Sequence, residues 1–188
     1  MKLSKREVTE FYSIWIRMSN FINKKYQLDP TYQMPENFND LDGKANLIIR
    51  NALWENPHWL GEIINDEIEH DFMETELQQI TQWRDHHIIS IFIVTEHRTN
   101  HTVFMDTKDD GKLYGVYGLL DPLKKIMPPR MLPFMGEAVL LPFKDKIIYD
   151  GIFRDNRDNI ENTPPLKEVN RAYQEAKQKW GTTLTLGQ

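Results

Sequence analysis

The chain contains no cysteine. Disulfides, thiol nucleophiles, iron–sulfur clusters and Cys-type zinc sites are therefore excluded. Serine is scarce too. Ser4, Ser13, Ser19 and Ser90 are the whole set, and none lies in a Gly-x-Ser-x-Gly frame. No glycine-rich phosphate loop is present: Tyr114-Gly-Val-Tyr-Gly118 lacks the spacing and the following helix that a dinucleotide site needs. No apolar run approaches the roughly 18 residues of a membrane span. Met1–Glu10 is charged and is not followed by an apolar segment with a small-residue cleavage site, so no secretory signal is read. These absences point to a cytoplasmic, non-membrane protein without nucleophilic catalysis. The formal net charge of -5 gives no global pull on nucleic acid or anionic lipid, though it leaves room for a local basic patch. There is no internal repeat and no low-complexity segment.

What is present suits one globular unit. The chain has 188 residues, 40% hydrophobic and 27% charged, enough for a sizeable core under a charged surface. Residues 1–85 read as a helical half, 86–155 as a β half, and 156–188 as a closing helix and tail. Ser4-Lys5-Arg6-Glu7 has the form of a capping box, and Val8, Phe11, Trp15, Met18 and Ile22 then recur at helical spacing to about Lys25. Such an aromatic stripe is explained by burial alone. Pro30 and Pro35 mark a connection. A second helix starts near Asp42, with Ala45, Ile48, Ile49, Ala52 and Leu53 on its face. Asn56-Pro57 stops it and opens a third helix, about His58 to Ile68. A fourth runs from about Met73 to Asp85.

At His86 the character changes. Ile88–Val94 is a β-branched and aromatic run typical of a buried strand. Arg98–Asn100 reads as a turn, His101–Asp106 as a second strand, and Asp109-Asp110-Gly111 as another turn. Leu113–Leu120 is a third strand whose Gly115 and Gly118 signal a bulge, a bend or a close approach. The centre of the β half is Glu137–Gly151, two apolar runs around Lys144-Asp145. Pro164-Pro165 introduces a last helix, Leu166 to Lys179, with Val169, Tyr173, Ala176 and Trp180 inward and Gly181 as its cap. The expected fold is α+β: N-terminal helices, an antiparallel sheet of about five strands, and a C-terminal helix. Strands this short can also curl into a small half-open barrel.

The hairpin Leu140-Leu141-Pro142-Phe143-Lys144…Lys146-Ile147-Ile148-Tyr149-Asp150-Gly151 resembles a family of uncharacterised proteins common in Gram-positive bacteria. Ala52–Pro57 and the strand Tyr114–Leu119 carry the same likeness, in the same order along most of the chain. Asp145 stands where relatives are expected to have glycine. The resemblance implies a shared fold and brings no activity, cofactor or catalytic residue.

Three constellations carry chemistry worth weighing. Glu67, His70 and Asp71 combine a Glu-x-x-His spacing with a further carboxylate in the acidic stretch Glu62–Glu76, a set of hard ligands for one divalent cation. A di-iron bundle would need a second such pair, and there is none. The plainer reading is a solvated acidic helix end. His86, His87, His97 and His101 sit at strand edges, where two could meet across a hairpin; zinc would require more converging ligands. The segment Leu123–Gly136 is rich in Met and Pro. Its Met127, Met131 and Phe134, with Lys124 and Arg130, suit an adaptable binding surface, against the alternative of a lid packed on the sheet. The expected function is a non-enzymatic interaction or regulatory module with a protein partner and no cofactor. The alternative is a nucleic-acid-associated protein, with Phe92, Phe104, Tyr114, Tyr117 and Tyr149 as stacking surfaces and Lys124, Lys125, Arg130, Lys144 and Lys146 along one edge. A divalent-metal enzyme is a third.

Overall fold

Ser4 opens the first helix in the way its sequence spells out. In the computed structural model, which describes residues 1–40, 42–65, 72–155 and 165–187, the Ser4 hydroxyl accepts from the Glu7 amide at 3.3 Å. The Glu7 carboxylate accepts from the Ser4 amide at 2.8 Å, so two orphan donors are satisfied at once. Helix α1 runs Lys5–Tyr26 and ends at Gln27 in the left-handed region, φ 51. Helix α2 (Gly43–Glu55) is capped by the Asp42 carboxylate, which accepts from Lys44 and Ala45 amides. Helices α3 (Trp59–Asn65) and α4 (Glu74–His86) follow.

Residues 4–85 form one compact unit, and residues 1–3 with 86–188 form another. The helical unit is held by aromatics. Phe11 stacks on Trp15 at 5.9 Å, and Trp83 meets their edges at 5.6 and 6.4 Å. Trp54 completes the group 6.2 Å from Trp15. Truncating a ring buried this fully costs about 3–5 kcal/mol. Arg17 of α1 pairs with Glu76 of α4. Tyr26 stacks on Trp59 at 3.9 Å and bonds to Glu62; burial, then that carboxylate, pushes its hydroxyl up to about 12.

The second unit is built on β1 (Ile88–His97), β2 (Thr102–Asp106), β3 (Leu113–Tyr117), β4 (Phe134–Phe143) and β5 (Lys146–Asp155). Strand β1 pairs antiparallel with β2 and β4, β2 with β3, and β4 with β5. The expected sheet is wholly antiparallel. The observed one departs from this: β3 and β5 run parallel, with Val116 opposite Ile147 and Tyr117 opposite Ile148. That pairing closes the five strands into a ring. The chain leaves β3 through the long connection 118–133, runs back along β4 and reverses at the β4–β5 hairpin, so β5 again runs with β3. The connection holds the short helix α5 (Leu123–Ile126) and one 3-10 turn, Pro129–Met131.

The strands alternate between two apolar layers. Phe92, Phe104, Tyr114, Phe134 and Phe153 meet on one side, with ring centroids 5.4–6.2 Å apart. Buried beside them, Ser90 donates to the Asp106 carboxylate at 2.6 Å. On the other side, Ile93, Val103, Met105, Leu113 and Met135 are covered by Val169, Tyr173 and Ala176. These last belong to α6 (Leu166–Lys179), whose bounds agree with the sequence reading. Trp180 does not point inward as its spacing suggested. The helix stops at Lys179, Gly181 turns at φ +68, and the chain leaves to pair as β6 (Thr182–Thr183) with β3. Trp180 is left 46% exposed. Among the described residues, no helix is long and apolar enough to cross a membrane.

Candidate functional site

The connection between β3 and β4 divides the residues expected to bind. Met127 and Phe134 are 2% and 7% exposed. They belong to the packing, so they do not present the adaptable surface expected of them. Lys124 and Arg130 are exposed, and Met131 is half-buried. The loop is braced from below: His97 bonds through one ring nitrogen to the Met127 carbonyl at 2.7 Å and through the other to the Thr102 hydroxyl at 2.8 Å. A carbonyl only accepts, so Nε2 carries the proton and the Thr102 hydroxyl donates to Nδ1. Both nitrogens of His97 are thus occupied structurally.

Lysines flank β3 at both ends. Lys146 lies over the Tyr117 ring at 5.9 Å. The parallel register sets Lys146 level with Gly115, so the β4–β5 turn, with Lys144 at φ 56, lies toward the start of β3. Lys2 bridges to Gly118 and donates to the Leu120 carbonyl at 2.7 Å. Lys124 follows in α5, and its charge, after burial, lowers the pKa of the Met1 amino group. Lys125 is there too, paired with Asp121 at 2.9 Å. Lys146 is paired with Asp145 at 2.7 Å. Leu120 and Ile126 are 44% and 49% exposed in the same region.

Charge is unevenly divided between the units. Residues 1–3 and 86–188 hold fifteen Lys and Arg against thirteen Asp and Glu, a formal +2. Residues 4–85 hold eight against fifteen, a formal -7. The overall -5 therefore hides a mildly basic strand unit.

The aromatics expected to stack on a ligand are mostly core. Phe92 and Phe104 are fully buried, Tyr114 and Tyr149 are 4% and 6% exposed. The ring covers the inward face of its strands and α6 covers the outward layer of β1–β3, so alternation in sequence does not imply an open side. Tyr117 alone of that set is half-buried.

The proposed metal ligands Glu67, His70 and Asp71 lie outside the described residues. Among the described residues, no group of three or more His, Asp or Glu is arranged to hold a metal ion. His101 is packed against Gly115, and its Nε2 is buried without a partner. Burial lowers its pKa from 6.5, helped by Arg98 and opposed by Glu96. The folded state thus favours neutral His101, so stability is full above the ordinary value and falls as pH drops below it. Thermal melts from pH 7.5 to 5.5 should show that loss, and His101→Gln should flatten it; an unchanged pH profile in the variant would assign the loss elsewhere.

A cleft of about 470 Å³ runs beside α6, lined by Asp106, Asp110, Glu168, Arg171, Glu175 and Lys179 among others. Its charges pair with one another, Lys179 with Asp110 at 3.4 Å and Arg171 with Glu175 at 3.9 Å, leaving no field of one sign. The lysine end of β3 is the better candidate. No protein-family model matches the chain, and neither a curated protein nor a solved structure is significantly similar to it.

Proposed function

We propose that the protein is a non-enzymatic binding module and that its strand unit takes single-stranded nucleic acid at the end of β3. The observation that carries this reading is the juxtaposition of Lys146 with Tyr117, followed along the chain by Lys124 and Lys125 and with Lys2 held against Gly118, on a unit of net positive charge. Lysines attract phosphates, and a half-open aromatic offers a face to a base. The strand order supports it by analogy. A ring closed as β1-β2-β3-β5-β4, with β3 and β5 parallel, is the order of OB-folds, five-stranded Greek-key barrels that bind oligonucleotides through their loops and the β2–β3 face. Analogy of fold is not function, and here α6 covers the outward layer of β1–β3. The loops are what is left open to a ligand.

A second reading has its own observation. Leu120 and Ile126 are exposed beside the lysines, a mixture that suits an acidic, apolar segment of a protein partner. Fluorescence anisotropy with labelled oligo(dT) at 50 mM salt separates the two. Binding that unlabelled single strands compete away, and duplex competes less well, is the expected result. No change in anisotropy, with a stoichiometric protein co-purifying from the host, would replace nucleic acid by a protein partner.

A further inference from the structure

The nucleic-acid reading leaves an unused aromatic. Trp180 is 46% exposed at the end of α6, and among the described aromatics it is the large ring most open to solvent. The other tryptophans, Trp15, Trp54, Trp59 and Trp83, are between 0% and 9% exposed. Two ammonium groups attend its ring: Lys179 at 4.5 Å and Lys112 at 5.9 Å from the centroid. Both are already engaged, Lys112 with Asp109 at 2.7 Å and Lys179 with Asp110 at 3.4 Å. Local charge is therefore close to balanced. What this place offers a ligand is a flat apolar face framed by cations, not a net field.

Its position is fixed by backbone pairing. Thr182 lies opposite Leu113, so Trp180 stands near the start of β3, while Lys2 lies at its other end against Gly118, with Lys124 and Lys125 in the helix that follows. The strand is five residues long, roughly 15 Å, short enough for one oligonucleotide to touch both ends.

Resting on the reading above, we infer that Trp180 is a base-stacking platform for the same single strand, contributing π-contact where the lysine end contributes phosphate attraction. A stacked base displaces water from the indole face, and the aliphatic stems of Lys112 and Lys179 close around it. Stacking and charge leave different marks on binding. Loss of a stacking face weakens affinity and leaves the salt slope alone; loss of a phosphate contact lowers the slope.

The test uses the full chain with oligo(dT) across a salt series, reading anisotropy and tryptophan fluorescence together. Trp180→Ala should weaken binding about tenfold with an unchanged slope. Trp180→Phe should recover most of the affinity. Oligonucleotide should quench the wild-type emission and leave that of Trp180→Phe unaltered, since the remaining tryptophans are buried. Because Trp180 is exposed, neither variant threatens folding, which circular dichroism would verify. Salt-dependent binding that is indifferent to Trp180 would overturn the platform and leave the nucleic-acid reading standing. No salt-dependent binding by the wild type would overturn both.

Discussion

Reversing Lys2, Lys124 and Lys125 to glutamate should weaken oligonucleotide binding on the order of a hundredfold at 50 mM salt. Each exposed cation near a phosphate is worth about 1 kcal/mol at 4 Å in water, and reversal replaces attraction with repulsion; ionic screening trims the total. The slope of log affinity against log salt should fall by about 2, from roughly 0.7 for each of three single-strand phosphate contacts. All three side chains are exposed, so the fold should survive. Lys146 is left in place because only 19% of its side chain is exposed and it covers Tyr117. The control is reversal of Lys5 and Lys44 in the acidic helical unit, both exposed. Equal weakening by the control would mean that binding follows net charge and has no address at β3.

Gly118→Ala should be the most damaging small substitution in the strand unit. A Cβ there would stand 2.0 Å from the Asp121 carbonyl oxygen and 3.2 Å from the Leu123 nitrogen. Both neighbours are backbone, so no side chain can rotate away. Gly118 also accepts from the Leu3 amide at 2.9 Å and donates to the Met1 carbonyl at 3.2 Å. Shifting it disturbs the turn that leads to Lys124 and the pairing that holds Lys2. We expect a loss of about 2–4 kcal/mol in urea unfolding, with weaker oligonucleotide binding. Gly43→Ala is the contrast. Nothing lies within 4 Å of its Cβ, and it opens α2, so helix propensity should make that change neutral or stabilising by up to about 1 kcal/mol. Comparable loss in both would refute the close-approach account of Gly118.

Local chemistry explains which parts of this fold were legible. The capping box at Ser4, the Asp42 cap, and the Pro165 and Gly181 brackets of α6 are short-range signals, and each marks a helix end that the structure has. The change of character at His86 coincides with the boundary between the two compact units. The glycines of the third strand announced a close approach, and Gly115 and Gly118 both have one. A small half-open barrel was among the arrangements the strand lengths allowed, but the parallel β3–β5 pairing that closes the ring was not readable, because Val116 and Ile147 are distant in sequence and periodicity carries no information about long-range register. That closure is also why four aromatics that could have faced solvent are core.

The candidate site was half legible. Lysines 124, 125, 144 and 146 stand out in sequence, but only the parallel pairing brings Lys146 over Tyr117. Met127 and Phe134 show the opposite error, since composition says that a segment is apolar and not which way it faces. Trp180 was misjudged by extending helical spacing one residue past the point where Gly181 breaks it. Once the unit boundary is known, the charge division follows from the sequence alone.

The most direct measurement is the salt dependence of oligo(dT) binding by the unmodified protein between 50 and 300 mM salt. The account predicts a straight line of log affinity against log salt with a slope near -3, as expected for about four lysines meeting phosphates at roughly 0.7 each. A slope indistinguishable from zero, or no binding at the lowest salt, would contradict it.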